Sequence, residues 1–293
     1  MRDLRREKLL TVMTTRAYTR FEPQELVQLY NELLMRMGKL ERSSEPNDVS
    51  LLEMYFYVCC YLGKDQEMSL VFQRLRDRFG ESSPRVAVMK ATMMEVEGND
   101  SSAAKQYLEA RLKELEYDAD SVSYVMLSKK LLALKMRDLK KNPQQQLKET
   151  LALIEKFPLD PELQWVCSEL YYSLKDLDKA IYCIEEVLVA MPFNYVAFAR
   201  LSELLYYKYV REFQDKPAKR RDTAALQQAL DNALRSVELS ELFLKGWSLV
   251  ATISKELDKP QLLQLSKKKL QEISEVSNSN DARIAKKFLQ KMA

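Results

Sequence analysis

A chain of 293 residues, 46% hydrophobic and 30% charged, has the make-up of a folded protein and is long enough to bury roughly three quarters of its unfolded surface. The formal net charge is +3, close to neutral. The absence of His removes the usual general base near neutral pH and the commonest metal ligand, which excludes Ser-His-Asp and Cys-His mechanisms. The five glycines, Gly38, Gly63, Gly80, Gly98 and Gly246, are isolated, so no phosphate-cradling loop is present.

Few helix breakers among abundant Leu, Lys, Glu, Met and Ala predict an almost all-helical chain, and no period-two alternation marks a sheet. In chain order, residues 2–14 and 23–40 read as opening helices. The charged start, Met1 to Lys8, leads into no long apolar core and is read as no secretory signal. Arg42 to Asp48 has a loop-like composition and reads as a linker. Residues 49–79 form two helices around Gly63-Lys64-Asp65. Their apolar stretch, Met54 to Leu62, is too short to span a bilayer. Next comes a hairpin from Pro84, with Ala91 at position 8 of the unit, a turn at Gly98, Ser101 or Ser102 as N-cap, then Ala103, Tyr107 and Ala110 at positions 20, 24 and 27. Residues 120–157 read as a long helix to about Leu139, a loop at Lys141-Asn142-Pro143, and a second helix ending at Phe157.

Pro158 and Pro192 then stand 34 residues apart, each closing one apolar helical run and preceding another. That spacing is the period of the tetratricopeptide repeat, a helix–turn–helix unit. Counted from Pro161, Ser168 falls at position 8, Tyr171 at 11, Ala180 at 20, Ile184 at 24, Val187 at 27 and Pro192 at 32. Small residues thus sit where two helices cross closely and large ones fill the gaps, with Lys175 to Asp178 as the turn. A first helix follows at 195–210, and Asp215 to Asp222 forms a polar insertion. The partner helix runs from about Thr223 to Leu239, with Ala229, Ala233 and Ser236 at close-packing spacing. Residues 242–257 and 260–277 make one more pair, and 281–292 a capping helix.

The predicted fold is all-α, a right-handed tetratricopeptide-repeat solenoid of antiparallel helix hairpins with atypical terminal caps. It is read as one array over 1–293, with a cap at 1–40, hairpins over 49–257 that are most regular at 84–115 and 161–192, and basic cap helices at 258–293. Such arrays hold partners and seldom do chemistry, so the reading is a protein without catalytic residues, cofactor or metal. Cys59, Cys60, Cys167 and Cys183 lie in apolar helical stretches with no zinc-site spacing, as expected of buried free thiols in a reducing compartment. Residues 255–293 carry nine Lys/Arg against five acids. This surplus of four reads as a solvated helix face or as a contact for an acidic partner or anionic lipid heads.

First helices of such units line the concave face. Residues three and four apart share a helix face, which groups Trp165, Glu169 and Tyr172 in one unit and Ala199, Glu203 and Tyr206 in the next. The aromatics suit partner anchoring and the carboxylates suit basic partner groups. The other reading has the aromatics pack between hairpins, and for Trp165 and Trp247 both stay open. Of the pairs Tyr171-Tyr172 and Tyr206-Tyr207, one ring of each points inward, Tyr171 in the first. Met89, Met93 and Met94 read as core filling. Lys216, Lys219, Arg220 and Arg221 read as a solvated loop or a short nucleic-acid patch. Repeat positions 5 and 9 hold Trp165 and Glu169, or Val88 and Thr92, where chaperone-binding domains of this type place Lys and Asn to clamp a terminal carboxylate. That clamp is missing.

Four strings carry a further resemblance: Arg6 to Met13 (REKLLTVM), Lys156 to Asp160 (KFPLD), Met191 to Tyr195 (MPFNY) and Ala233 to Leu242 (ALRSVELSEL). In their combination and order the chain resembles the fungal form of subunit 2 of the endoplasmic reticulum membrane protein complex. The resemblance covers nearly the full length and is weakest at 41–48 and 213–222. It implies a peripheral subunit on the cytoplasmic face of that membrane. In the family this subunit is a tetratricopeptide spiral cupping cytoplasmic parts of the membrane-embedded subunits of an insertase for tail-anchored and multi-pass proteins. The partners implied are those other subunits, with no nucleic acid. The competing expectation is a soluble tetratricopeptide adaptor in RNA processing or nuclear transport.

Overall fold

The scarcity of breakers leaves helices throughout. The computed structural model describes residues 4–40, 42–98, 101–115, 122–213, 223–276 and 280–292, and among these there are helices and no strands. Helix packing groups the chain into two compact units, Met1–Asp138 and Leu139–Ala293, where the sequence reading took 1–293 as one array.

The first unit holds α1 (Leu4–Thr14), a 3-10 turn (Ala17–Arg20), α2 (Pro23–Leu34), α3 (Met37–Leu40), α4 (Pro46–Leu62), α5 (Asp65–Phe79), α6 (Pro84–Glu97), α7 (Ser102–Glu114) and α8 (Val122–Asp138). Proline opens α2, α4 and α6, where its missing N–H is one the helix leaves unpaired anyway. Gly63 ends α4 at φ 64°, a left-handed conformation glycine adopts without a Cβ penalty. The long apolar stretch of the sequence is the C-terminal half of α4, where Met54, Tyr55, Phe56, Val58 and Cys59 are enclosed while Tyr61 is exposed. The expected linker is shorter than predicted. Its last residues form the first turn of α4, where Asp48 is buried and Arg6 of α1 bridges it (2.8 Å) and Glu45 (2.6 Å).

One repeat register needs correction. Ala91 is fully buried, but Ala103 and Ala110 are exposed, and Ala104 and Leu108 fill the core instead. α6 runs 14 residues against 13 for the corresponding α10 of the second unit, and four residues rather than three separate it from the next helix, so α7 starts two residues later in its unit than α11 does. The crossing lies one residue nearer the helix start, at the third residue of α7 (Ala104) against the fourth of α11 (Ala180), so the close approach falls one residue later. Tyr107 stays half-buried at the edge of that core, with Lys90 Nζ 4.9 Å above its ring. Ala104→Leu is expected to cost about 2–3 kcal/mol by overpacking, and Ala103→Leu within about 0.5 kcal/mol of nothing. Urea midpoints of the two variants check this, and equal losses would return the crossing to Ala103.

The second unit holds α9 (Pro143–Ile154), α10 (Pro161–Ser173), α11 (Leu177–Ala190), α12 (Tyr195–Phe213), α13 (Thr223–Leu239), α14 (Leu244–Glu256), α15 (Pro260–Val276) and α16 (Asn280–Met292). Polar side chains cap several starts. Asn142 accepts from Gln145 N (3.1 Å), Asp160 from Glu162 N (3.0 Å) and Leu163 N (3.1 Å), Asp176 from Lys179 N (3.3 Å), and Asn194 from Val196 N and Ala197 N (both 3.1 Å). Ser168, Ala180, Ile184 and Val187 are all buried, and Ser168 Oγ donates to the Ala180 carbonyl at 2.8 Å where α10 crosses α11. Tyr171 packs half-buried against the same cluster. Pro158 and Pro192 are exposed in the turns. They separate helices without entering the core, and the Pro158 carbonyl accepts from the Gln164 amide at 2.8 Å. The basic insertion Lys216 to Arg221 lies outside the described residues.

All four cysteines are free, three buried and Cys60 half-buried. Burial pushes the Cys59 thiol up to about 11 and the Cys60 thiol up to about 12, so both stay protonated near neutral pH.

Candidate interaction surface

Of the residues chosen from sequence, Glu169 and Tyr172 on α10 and Glu203 on α12 come together. Arg200 places Nε 2.9 Å from Glu169 Oε1 and Nη2 3.1 Å from Glu169 Oε2. Its Nη1 pairs with Glu203, one turn along the same helix, and Lys245 Nζ reaches Glu203 Oε2 at 2.7 Å. The guanidinium lies 4.5 Å from the Tyr172 ring centroid, and Tyr172 stacks on Tyr207 at 6.0 Å and 26°. Three helices, α10, α12 and α14, thus share one array of two acids, two cations and two stacked rings.

This arrangement changes the chemistry expected of the face. Glu169 and Glu203 do not wait for basic groups of a partner, because Arg200 and Lys245 of the same chain already answer them. The group is neutral as a whole. Burial raises the Glu203 carboxyl, but the hydrogen bonds and charges of Lys245 and Arg200 together outweigh it and hold the carboxyl below its usual range. Arg200, only 7% exposed, is the hub that sequence reasoning missed. Its signal was available: it stands three residues before Glu203, a pairing distance on a helix.

The tryptophans resolve differently. Trp247 is buried, and its indole N–H donates to the Glu241 carbonyl at 2.6 Å. Trp165 is half-buried and packs against the cluster that contains Ile181, Ile184 and Leu201. Tyr206 packs half-buried against the core of α13 and α14, and burial raises its hydroxyl pKa. Ala199 is fully buried. What α10 and α12 leave open is the Tyr172–Tyr207 stack, with the rings 36% and 38% exposed, beside Glu169.

A second feature escaped the sequence reading. Leu159, Phe193 and Leu242, each at the turn before a first helix, are 73%, 73% and 50% exposed. In the first two turns the apolar residue sits between a proline and the capping Asp160 or Asn194, and the cap fixes the turn. Tyr195 and Phe243 meet edge-on at 4.8 Å and join the second of these turns to the third. Val189 and Tyr182, seven residues apart on one face of α11, are also exposed. Exposed apolar side chains thus recur at three successive turns of the second unit.

A polar cavity of about 260 Å³ at the α10–α11 turn is lined by Lys175, Asp176, Asp178, Lys208, Arg211 and Glu212 among others. Lys208 pairs with Asp178 there (2.5 Å) and Arg211 donates to the Lys175 carbonyl (2.9 Å). Among the described residues no group of three or more Cys, Asp or Glu is placed to hold a metal ion, and no helix is long and apolar enough to cross a membrane.

Helix hairpins closed by small residues at their crossings define a tetratricopeptide-repeat protein. The C-terminal part of a TPR repeat-containing protein from Cytophaga hutchinsonii shares the fold, with a TM-score of 0.50 at 12% identity, over 97% of this chain and 99% of that one. No family model matches the chain. The ER membrane protein complex subunit 2 of Saccharomyces cerevisiae is 47% identical over 297 residues, covering 100% of both chains. The TPR repeat protein oca3 of Schizosaccharomyces pombe is 26% identical over 86% of this chain and 79% of its own length. The chain belongs to the family of ER membrane protein complex subunit 2.

Proposed function

We propose that this chain is a non-catalytic scaffold subunit of an ER membrane protein complex. It works at the cytoplasmic face as a peripheral component. The observation that carries the reading is the full-length identity of 47% to a subunit 2. The exposed tips Leu159, Phe193 and Leu242 support it, as does the Tyr172–Tyr207 stack, since these surfaces offer area without chemistry. The partners are cytoplasmic segments of membrane-embedded subunits, docked as helices or extended peptides, in an assembly that inserts tail-anchored and multi-pass proteins.

Affinity purification of the tagged chain from detergent-solubilised membranes tests this. Integral membrane proteins recovered at fixed stoichiometry are the expected result. A chain recovered only as a free monomer would overturn the proposal.

A further inference from the structure

Helix α16 carries its charge in a row. Arg283, Lys287 and Lys291 recur every four residues, so they line one face of the helix, and Lys286 flanks them. All four side chains are exposed, and Ile284 beside the row is 53% exposed. The opposite face holds the helix down: Ala282 and Ala285 are buried, while Phe288, Leu289 and Met292 pack on the core formed with α13, α14 and α15. Lys286, Lys287 and Lys291 form no ion pair among the described residues, and Arg283 meets only the neutral Asn280. Lys269 of α15 provides the contrast, since Glu241 (2.7 Å) and Glu272 (2.9 Å) neutralise it. Asp281 is the single acid on α16.

We infer that the outer face of α16 is a docking surface for an anionic lipid membrane. The row lies on an exposed helix face, its cations spread over about two turns and not gathered around one point. Cations spread along a helix with one apolar residue among them suit a flat, diffuse layer of phosphate and carboxylate groups, into which the apolar side chain dips. This contact is independent of the scaffold reading, because it is a property of the purified chain without partners.

Flotation of the purified full chain with vesicles of roughly one third phosphatidylserine in phosphatidylcholine, at low salt, is the test. Partition into these vesicles, weak binding to pure phosphatidylcholine, and release on adding salt are expected. Lys287→Gln/Lys291→Gln should lower partition about 25-fold, at about fivefold per cation removed. The charge-matched Lys140→Gln/Lys141→Gln, on an exposed turn outside α16, should change it less than about twofold. Helical circular dichroism should be unchanged in both, since every altered side chain is exposed. An equal loss in both variants would overturn the inference. So would equal binding to neutral vesicles, the absence of any vesicle binding, or capture by polyglutamate without capture by vesicles, which would assign the row to an acidic protein.

Discussion

Gly246→Val is expected to cost the second unit about 3 kcal/mol, a large share of the stability of an ordinary domain. Gly246 lies in the first turns of α14, where α14 meets α13. A Cβ built on it would fall 2.5 Å from Ser236 Oγ, 2.6 Å from Val237 Cγ1 and 3.2 Å from Phe243 Cδ1. None of these atoms retreats easily. Ser236 is fully buried and its Oγ donates to the Ala233 carbonyl at 2.8 Å, and Val237 is buried in the same cluster. Glycine inside a helix costs about 1 kcal/mol against alanine, so Gly246→Ala trades that gain against the clash and ends milder than Val. The urea midpoints of both variants measure the difference. A Gly246→Val midpoint equal to that of the parent would show that α13 and α14 do not approach this closely.

Removing Arg200 ranks beside it. Arg200→Met keeps the apolar bulk of the side chain and takes away the charge, leaving Glu203 with Lys245 alone. A loss of about 2–3 kcal/mol follows, below the usual range for a broken buried pair because Glu169 is half-exposed and regains water. The pH dependence carries the sign. In the parent, Glu203 is held below its ordinary value, so its contribution is complete above the unfolded carboxyl pKa of about 4.3 and is lost as pH falls through the lower folded value. In the variant, burial is no longer outweighed to the same degree and the folded pKa rises. The gap between parent and variant should therefore be full at pH 7 and shrink as pH drops below about 5. A gap independent of pH would mean that the loss is one of packing and not of charge.

Much of the fold was legible in residue type and spacing. The unit from Pro161 could be placed residue by residue because its turn is of ordinary length. Ser168, Ala180, Ile184 and Val187 then landed where two helices touch. The unit from Pro84 failed by one position for a reason that composition does not carry. The first helix and the turn are each one residue longer, the crossing sits one residue nearer the start of α7, and a buried Ala104 reads no differently from an exposed Ala103. Pairing was the harder part of the surface. Helix periodicity put Glu169 and Glu203 on exposed-looking faces, but Arg200 reaches Glu169 across two helices, and Lys245 reaches Glu203 from a third. The turns hid Leu159 and Phe193 for another reason: an apolar residue between a proline and a helix cap reads equally well as turning inward or outward.

The central claim is that the chain holds membrane partners through the second unit. Its most direct measurement is partner recovery with Leu159→Asp/Phe193→Asp beside the parent chain, both purified from detergent-solubilised membranes. Both side chains are 73% exposed, so the charges should leave helical circular dichroism unchanged. The account predicts stoichiometric integral membrane proteins with the parent and their loss, at least tenfold, with the folded variant. Undiminished recovery with the variant, or a parent chain that comes out alone, would contradict it.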